Sequence, residues 1–377
     1  MRRAMARRLP LTVVTTPLSS AQARTAVPLA ERTTLRLGGP AATFLEATTA
    51  ADLVEAVRTA DAAGEPLLLL GGGSNLVVAE AGFAGTVVRV ATTGRRADPL
   101  GDGLVQFTVE AGEDWDSVVA EAVAQGLGGL ECLSGIPGLV GATPVQNVGA
   151  YGVEISQVLT SVDLMDRRRD GSVHHRSADS LGLAYRTSVL KGTDRAVVLR
   201  ARFALTAGGL SAPIRYAELA RVLGVAQGDR VPVDAARQAV LELRRGKGMV
   251  LDAADHDTWS AGSFFTNPLV DDSTLAGALI RIAERMGPHV DVPVYPAGAG
   301  YSKLSAAWLI ERAGFGKGHA GPGGRVGLST KHTLALTNRG GATTEDLLEL
   351  AREVRDGVRV AFGVELHPEP VLVGCEF

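Results

Sequence analysis

Cysteine is nearly missing from this chain of 377 residues: Cys132 and Cys375 are the only two, far apart and each in apolar surroundings. Their scarcity excludes a disulfide framework and a CxxC metal site and fits a reducing compartment, so a cytoplasmic location and no metal are expected. A surplus of charge is missing too. Lys plus Arg number 38 against 41 Asp plus Glu, which leaves no overall field to draw the protein to nucleic acid or to an anionic membrane. No run of about 18 apolar residues occurs, so nothing is expected to span a bilayer. Common catalytic signatures are absent as well. No GxGxxG joins a strand to a helix, and GxxxxGK[ST], HExxH and GxSxG do not occur. The usual nicotinamide fold, P-loop chemistry, zinc hydrolysis and nucleophile-elbow esterases therefore lose support.

What is present is apolar mass: 46% of residues are hydrophobic, enough for a large core and for two or three domains. The first residues, MRRAMARRLPLTVVTTPLSSAQA, are faintly like a secretory signal, with a basic start and an Ala21-Gln22-Ala23 triplet. Pro10, Thr12, Thr15, Thr16 and Pro17 break the apolar stretch, so residues 1–24 read as a disordered extension. Residues 51–63 place Leu53, Val54, Val57 and Ala60 on one helical face, Gly64 ends them, and 66–70 follows as a buried strand. Further strands are expected at 76–78, 105–109, 159–164 and 196–205, and helices at 114–125, 235–245, 275–286, 303–313 and 344–362. The last opens on Thr343-Thr344-Glu345-Asp346, a loose capping signature. The elements are mixed, an α+β pattern without internal repeats. Clustered Gly and Pro mark a boundary near 206–213 or up to about twenty residues later.

Two glycine-rich segments stand apart. Residues 71–75 are three glycines followed by Ser74 and Asn75, and residues 126–152 are small, apolar and almost uncharged. A flexible linker would be polar, so the second reads as an ordered buried loop. Backbone N–H groups reach phosphate oxygens only where side chains leave room, which glycine allows. Alone, the triple glycine could as well be a tight turn; with the second loop, and Gln146 and Asn147 as polar handles, the pair suits a dinucleotide.

At this point the segments TLRLGGPA (34–41), LLLGGGSNLVV (68–78), GLECLSGIPGLVGATPVQNVGAYGVEI (129–155), YRTS (185–188), SAGSFFTNP (260–268) and HPEPVLVG (367–374) can be taken together. In that order they resemble the UDP-N-acetylenolpyruvoylglucosamine reductases, over nearly everything from about residue 25 onward. The resemblance implies a two-subdomain FAD-binding unit of the vanillyl-alcohol-oxidase-like kind plus a third α+β domain that binds substrate. The expected division is residues 25–90 joined by a C-terminal strand at 364–377, then 91–225, then 226–363. FAD contacts are implied at Gly71, Gly72, Gly73, Ser74, Asn75 and Leu76 for the pyrophosphate. For the ring system they are implied at Gly135, Ile136, Pro137, Gly138, Gly141, Ala142, Gln146, Asn147, Gly149, Ala150 and Tyr151. Arg244, with Arg245, is either a flavin phosphate contact or the basic end of a helix. Some members of the wider group tether FAD through a His near the first glycine loop. The seven His here begin at His174, so noncovalent FAD is implied.

Carried over residue by residue, Ser263 matches the serine that protonates the substrate carbon, Arg186 the catalytic arginine, and Glu369 the carboxylate near the C-terminus. A serine hydroxyl is a weak acid, but an enolate is a strong base and can take its proton. A guanidinium can grip the enolpyruvyl carboxylate in bidentate fashion. Tyr216 matches the tyrosine of the family's type with the longer loop, and Lys247 and Asn267 match contacts to substrate phosphates and sugar. His332 stands where some relatives carry glutamine and is a further substrate candidate. The activity implied is NADPH-dependent, FAD-mediated reduction of UDP-N-acetylglucosamine enolpyruvate to UDP-N-acetylmuramate in peptidoglycan precursor synthesis, by an enzyme expected to be a monomer. Two alternatives stay open at this stage: a flavin oxidase or dehydrogenase acting on an alcohol or sugar lactone, and a nucleotide-sugar-binding protein without catalysis.

Overall fold

The computed structural model describes residues 23–169 and 171–377. The signal-like stretch and most of the expected N-terminal extension fall outside them. Strands β1 (Arg24–Pro28), β2 (Pro40–Ala47), β3 (Leu67–Leu70), β4 (Leu76–Val78) and β5 (Phe83–Val90) come first, with helix α1 (Ala50–Ala63) between β2 and β3. Four of these strands make a sheet in the order β1-β2-β5-β3, parallel except for β1. Helix α1 starts where expected because Thr49 and Asp52 close a reciprocal capping box, and it stops at Gly64 in the left-handed conformation. It buries Leu53, Val54, Val57 and Ala60, the face read from the sequence.

The second layer is an antiparallel sheet. It contains β6 (Arg95–Gly101), β7 (Leu104–Glu110), β10 (Leu159–Asp166), β11 (Val173–Ser177) and β12 (Ala196–Thr206), in the order β11-β10-β12-β7-β6. Between β7 and β10 the chain makes helix α2 (Trp115–Ala124) and, after the long glycine-rich loop, a small hairpin, β8 (Gly149–Ala150) and β9 (Val153–Glu154). Trp115 anchors this core: it is 1% exposed, meets Phe203 edge to face at 5.8 Å, and donates its indole N–H to Leu133 O at 3.0 Å. After β12 the chain does not form an open linker, since Ser211 N–H donates to Val231 O and helix α3 (Ala217–Leu223) fills the excursion. Helix α4 (Val233–Gly246), expected with the third domain, buries Ala236, Ala239 and Val240 in the core that holds Trp115 and Phe107.

A third core surrounds helix α7. Here β13 (Leu269–Asp271), α5 (Asp272–Met286), β14 (Val294–Pro296) and β15 (Tyr301–Leu304) lead into α6 (Ala306–Ala313). The hairpin β16 (Val326–Leu328) and β17 (Leu336–Asn338), helix α7 (Thr344–Phe362) and strand β18 (Val371–Val373) complete it. The helix expected from residue 303 begins at 306: Lys303 and Leu304 belong to β15, paired on both sides, and the Ser305 side chain caps the shortened helix by accepting Trp308 N–H. Leu347, Leu350, Val354, Val358 and Phe362 of α7 pack with Phe264, Phe265 and Ile310. Strand β18 then pairs in parallel with β4, which returns the C-terminal segment to the glycine loop. Among the described residues no helix is long and apolar enough to cross a membrane.

Candidate active site

The two glycine segments touch. A Cβ at Gly73, whose φ is +61°, would lie 2.0 Å from Arg32 O, and one at Gly72 would lie 2.8 Å from Gly138 Cα. No larger residue fits at either point. Ser74 Oγ donates to Pro137 O at 3.0 Å and Asn75 Nδ2 to Gln146 Oε1 at 3.0 Å, so polar side chains stitch the loops together. Glycine at these sites thus serves close packing of protein on protein as well as room for a ligand.

Beside them lies a cavity of about 610 Å³, lined by Arg32, Thr33, Thr34, Arg36, Gly71 and Gly72 among others. Arg32 Nε is buried without a partner. At the second loop, Arg244 Nη2 donates to Met249 O at 2.7 Å, but its Nε is buried and unpartnered too. Burial holds this guanidinium below its ordinary pKa. The adjacent carboxylate, Asp116, is already taken by Arg237 at 2.6 Å and by Gly135 N–H at 2.6 Å. Two buried cationic nitrogens without acceptors, next to two glycine loops, fit an anionic group such as a dinucleotide pyrophosphate.

The residues expected to be catalytic come from three segments that meet. Phe264 and Phe265, buried at 0% and 1% exposure, pin the segment that carries Ser263. That segment lies against 367–369: Glu369 N–H donates to Phe264 O at 2.8 Å, and Thr266 N–H donates to His367 O at 3.1 Å. Glu369 Oε1 faces Arg186 Nε at 3.4 Å, and Arg186 Nη2 donates to Gly149 O at 2.8 Å. Ser263 is half-buried, follows Gly262 in the left-handed conformation, and has no side-chain hydrogen bond among the described residues. Burial pushes the Glu369 carboxyl above its ordinary range, opposed by Arg186 and Lys191. At 3.4 Å the Arg186 contact is too loose to outweigh desolvation. Arg186 itself has φ +52°, a backbone that costs a non-glycine residue about 1–2 kcal/mol and that persists only where surroundings impose it.

Of the expected substrate residues, Tyr216, Lys247 and His332 form a neighbouring group, whereas Asn267 lies by Tyr185, on the side of Arg186 and Glu369. Tyr151 and Tyr216 meet edge to face at 5.5 Å, and Lys247 Nζ lies 5.9 Å from the Tyr151 ring centre while pairing with Glu218 Oε2 at 2.6 Å. Burial pushes the Tyr151 hydroxyl up to about 12. His332 is pushed down to about 4 by burial, then by Lys247 and Lys317, so its ring is neutral near pH 7, with one nitrogen to donate a hydrogen bond and the other to accept one. Asn267 lies near Tyr185, and its Oδ1 accepts Ala306 N–H at 3.0 Å, which ties it to the start of α6.

One expected contact points elsewhere. The buried Asn147 side chain donates to Glu154 at 2.8 Å and to Ala184 O at 3.1 Å, and accepts Ser156 N–H at 3.1 Å. It holds the loop and leaves only its backbone for a ligand. Conversely, Arg32, Thr33, Thr34 and Arg36 line the cavity; of these only Thr34 and Arg36 fall within the segment TLRLGGPA (34–41), and neither is given a role from sequence.

Residues 41–177 match the model of an FAD binding domain, and residues 254–373 match that of the UDP-N-acetylenolpyruvoylglucosamine reductase C-terminal domain. A UDP-N-acetylenolpyruvoylglucosamine reductase of Saccharopolyspora erythraea is 71% identical over 347 residues, 92% of this chain and 94% of that one. One of Thermobifida fusca is 59% identical, over 92% of this chain and 97% of that one. Among solved structures, the UDP-N-acetylenolpyruvylglucosamine reductase of Thermus caldophilus is 26% identical, with a TM-score of 0.60 over 92% of this chain and 97% of that one. Both halves of the fold, at full length and high identity, agree: the chain belongs to the UDP-N-acetylenolpyruvoylglucosamine reductase family.

Proposed function

We propose that this enzyme, a flavin-dependent UDP-N-acetylenolpyruvoylglucosamine reductase of peptidoglycan precursor synthesis, holds FAD noncovalently and takes its reducing equivalents from NADPH. Gly71–Leu76 and Gly135–Tyr151 would hold the cofactor, with Arg32 and Arg244 turned to its phosphates. The loop at 71–75 offers only Ser74 as a nucleophile, and its hydroxyl is occupied by Pro137 O. FAD, when bound, supplies the hydride taken from NADPH.

The chain's own residues then manage charge and a proton. Once hydride reaches the terminal enolpyruvyl carbon, an electron pair is left on the carbon beside the carboxylate. Arg186 binds that carboxylate and stabilises the charge spreading onto it. Ser263 gives its hydroxyl proton to the carbanionic carbon, breaking O–H as C–H forms, and recovers a proton from water. Glu369, kept above the ordinary carboxyl range by burial, orients the enolate with Ser263 and supports proton delivery. Lys247, Tyr216, Asn267 and His332 face the diphosphate and sugar, and NADPH and the sugar nucleotide use this pocket in turn. Tyr216, at the start of α3 and 43% exposed, supports assignment to the type with the longer loop. We further propose a cytoplasmic monomer with its substrate-binding part in the third core.

The observation that carries the reading is the meeting of Arg186, Glu369 and the Ser263 segment at one point. Visible spectroscopy tests it. The protein should purify yellow, bleach with NADPH, regain colour with the enolpyruvyl sugar nucleotide, and release FAD intact on acid or heat. A colourless protein that also refuses added FAD would overturn the reading.

A further inference from the structure

Loop 184–191 carries Arg186 into the site, and one residue of that loop has had no role so far. Lys191 Nζ donates to the backbone carbonyl of Arg186 at 2.8 Å. This is the residue whose left-handed backbone requires outside support. The loop is tied elsewhere too: Ala184 and Thr187 exchange backbone hydrogen bonds at 3.1 Å each, Asn147 Nδ2 donates to Ala184 O at 3.1 Å, Val189 N–H donates to Leu181 O at 2.9 Å, and Ser188 Oγ donates to Val145 O at 2.6 Å. None of these ties bonds to Arg186 itself. Its guanidinium is fixed by Gly149 O and Glu369, and its carbonyl by Lys191.

Lys191 is half-buried and also lies within the field of Glu369. The charged or titratable groups acting on that carboxyl all come from this loop, namely Arg186, Lys191 and the Tyr185 ring, behind which Lys303 Nζ stands at 4.6 Å. Segments 261–267 and 71–75, which also reach Glu369, contain no ionisable side chain.

We infer that Lys191 is a positioning residue for the reduction: it fixes Arg186 in its left-handed conformation through the carbonyl and adds a second positive charge to the field at Glu369. It touches neither substrate nor flavin in this role. The inference rests on the assignment of Arg186 and Glu369 proposed above, so the test keeps the two apart.

Three full-length holoenzymes are compared with wild type by stopped-flow absorbance across pH: Lys191→Met, Lys191→Arg and Lys191→Gln. Lys191→Met should leave flavin reduction by NADPH within about twofold and slow reoxidation by the enolpyruvyl sugar nucleotide about tenfold or more, in kcat rather than KM. The limb of the pH profile that belongs to Glu369 should move to higher pH, because removing a nearby cation raises a carboxyl pKa further. Lys191→Arg should recover most of the rate and keep the limb in place. Lys191→Gln retains a donor for the carbonyl without the charge, so it should move the limb while losing less rate. If Lys191→Met loses FAD, the limb of Lys191→Gln decides. An unmoved limb in Lys191→Gln, or equal slowing of both half-reactions in Lys191→Met, overturns the inference. Arg186→Lys provides the separate arm: unimpaired reoxidation there sinks the catalytic assignment itself, whereas impaired reoxidation with wild-type behaviour of the Lys191 variants sinks only the role of Lys191.

Discussion

Asp116→Ala probes the support of the second glycine loop. The carboxylate accepts two bonds from Arg237, at 2.6 and 2.9 Å, and one from Gly135 N–H at 2.6 Å. Burial pushes its pKa up, but the bonds from Arg237 and Gly135 outweigh that and hold it below the ordinary carboxyl value. Hydrogen bonds to a charged group contribute about 1.5–3 kcal/mol each when well buried. The Asp116 side chain is 35% exposed and that of Arg237 15% exposed, so solvent screening reduces the whole set to about 2 kcal/mol. At roughly 2–4 °C per kcal/mol, Asp116→Ala should lower Tm by about 4–8 °C. Gly135 begins the loop expected to carry the flavin ring, and Arg244 stands behind it, so FAD affinity should fall about tenfold, close to 1.4 kcal/mol. The sign with pH follows from linkage. A depressed carboxyl pKa contributes stability that is present above the unfolded value, near 4, and lost as pH falls through the folded one. The gap between wild type and variant should therefore be full at pH 7 and close below about pH 4. Thermal unfolding of apoprotein and flavin fluorescence titration measure both effects. An unchanged Tm with unchanged FAD affinity would refute the reasoning; a lower Tm with unchanged affinity would show that Gly135 is not a cofactor anchor.

Gly73→Ala should cost at least about 2 kcal/mol, since the new Cβ meets Arg32 O at 2.0 Å in a left-handed backbone, and chemical denaturation of the apoprotein measures it. Lys247→Ala should mainly raise KM for the sugar nucleotide, because a point charge on a diphosphate acts alike in ground and transition states. A loss confined to kcat in steady-state kinetics would contradict that role.

Local signals in the sequence were legible where one short stretch decides the outcome. Helix α7 spans Thr344–Phe362 as read, because its capping box and apolar stripe are contained within it. Helix α6 starts late because Lys303 and Leu304 belong to β15, which pairs with the adjacent β14 and with the more distant β13, and a pairing partner leaves no trace in a short window. The residues proposed as catalytic are legible only through resemblance. Nothing local joins YRTS to residues 261–267 and 367–369, and the contact of Arg186 with Glu369 exists only after β18 has returned to β4. Asn147 looked like a polar handle because side-chain direction cannot be read from residue type; its amide is spent on Glu154 and Ala184. Arg32 and Arg36 carry no local signal because a basic residue beside glycines is ordinarily solvated, and only the folded chain shows that both line the cavity.

The central claim is that Ser263 is the proton donor, and Ser263→Ala tests it most directly. Its hydroxyl has no hydrogen-bond partner among the described residues, so the substitution leaves no other group stranded. Stopped-flow absorbance of the two half-reactions should show FAD retained and flavin reduction by NADPH near the wild-type rate. Reoxidation by the enolpyruvyl sugar nucleotide should slow by orders of magnitude, because hydride addition without a proton donor leaves an enolate that returns its hydride. Equal slowing of reduction and reoxidation would mean that Ser263 positions the ring system, and would contradict its assignment as the acid.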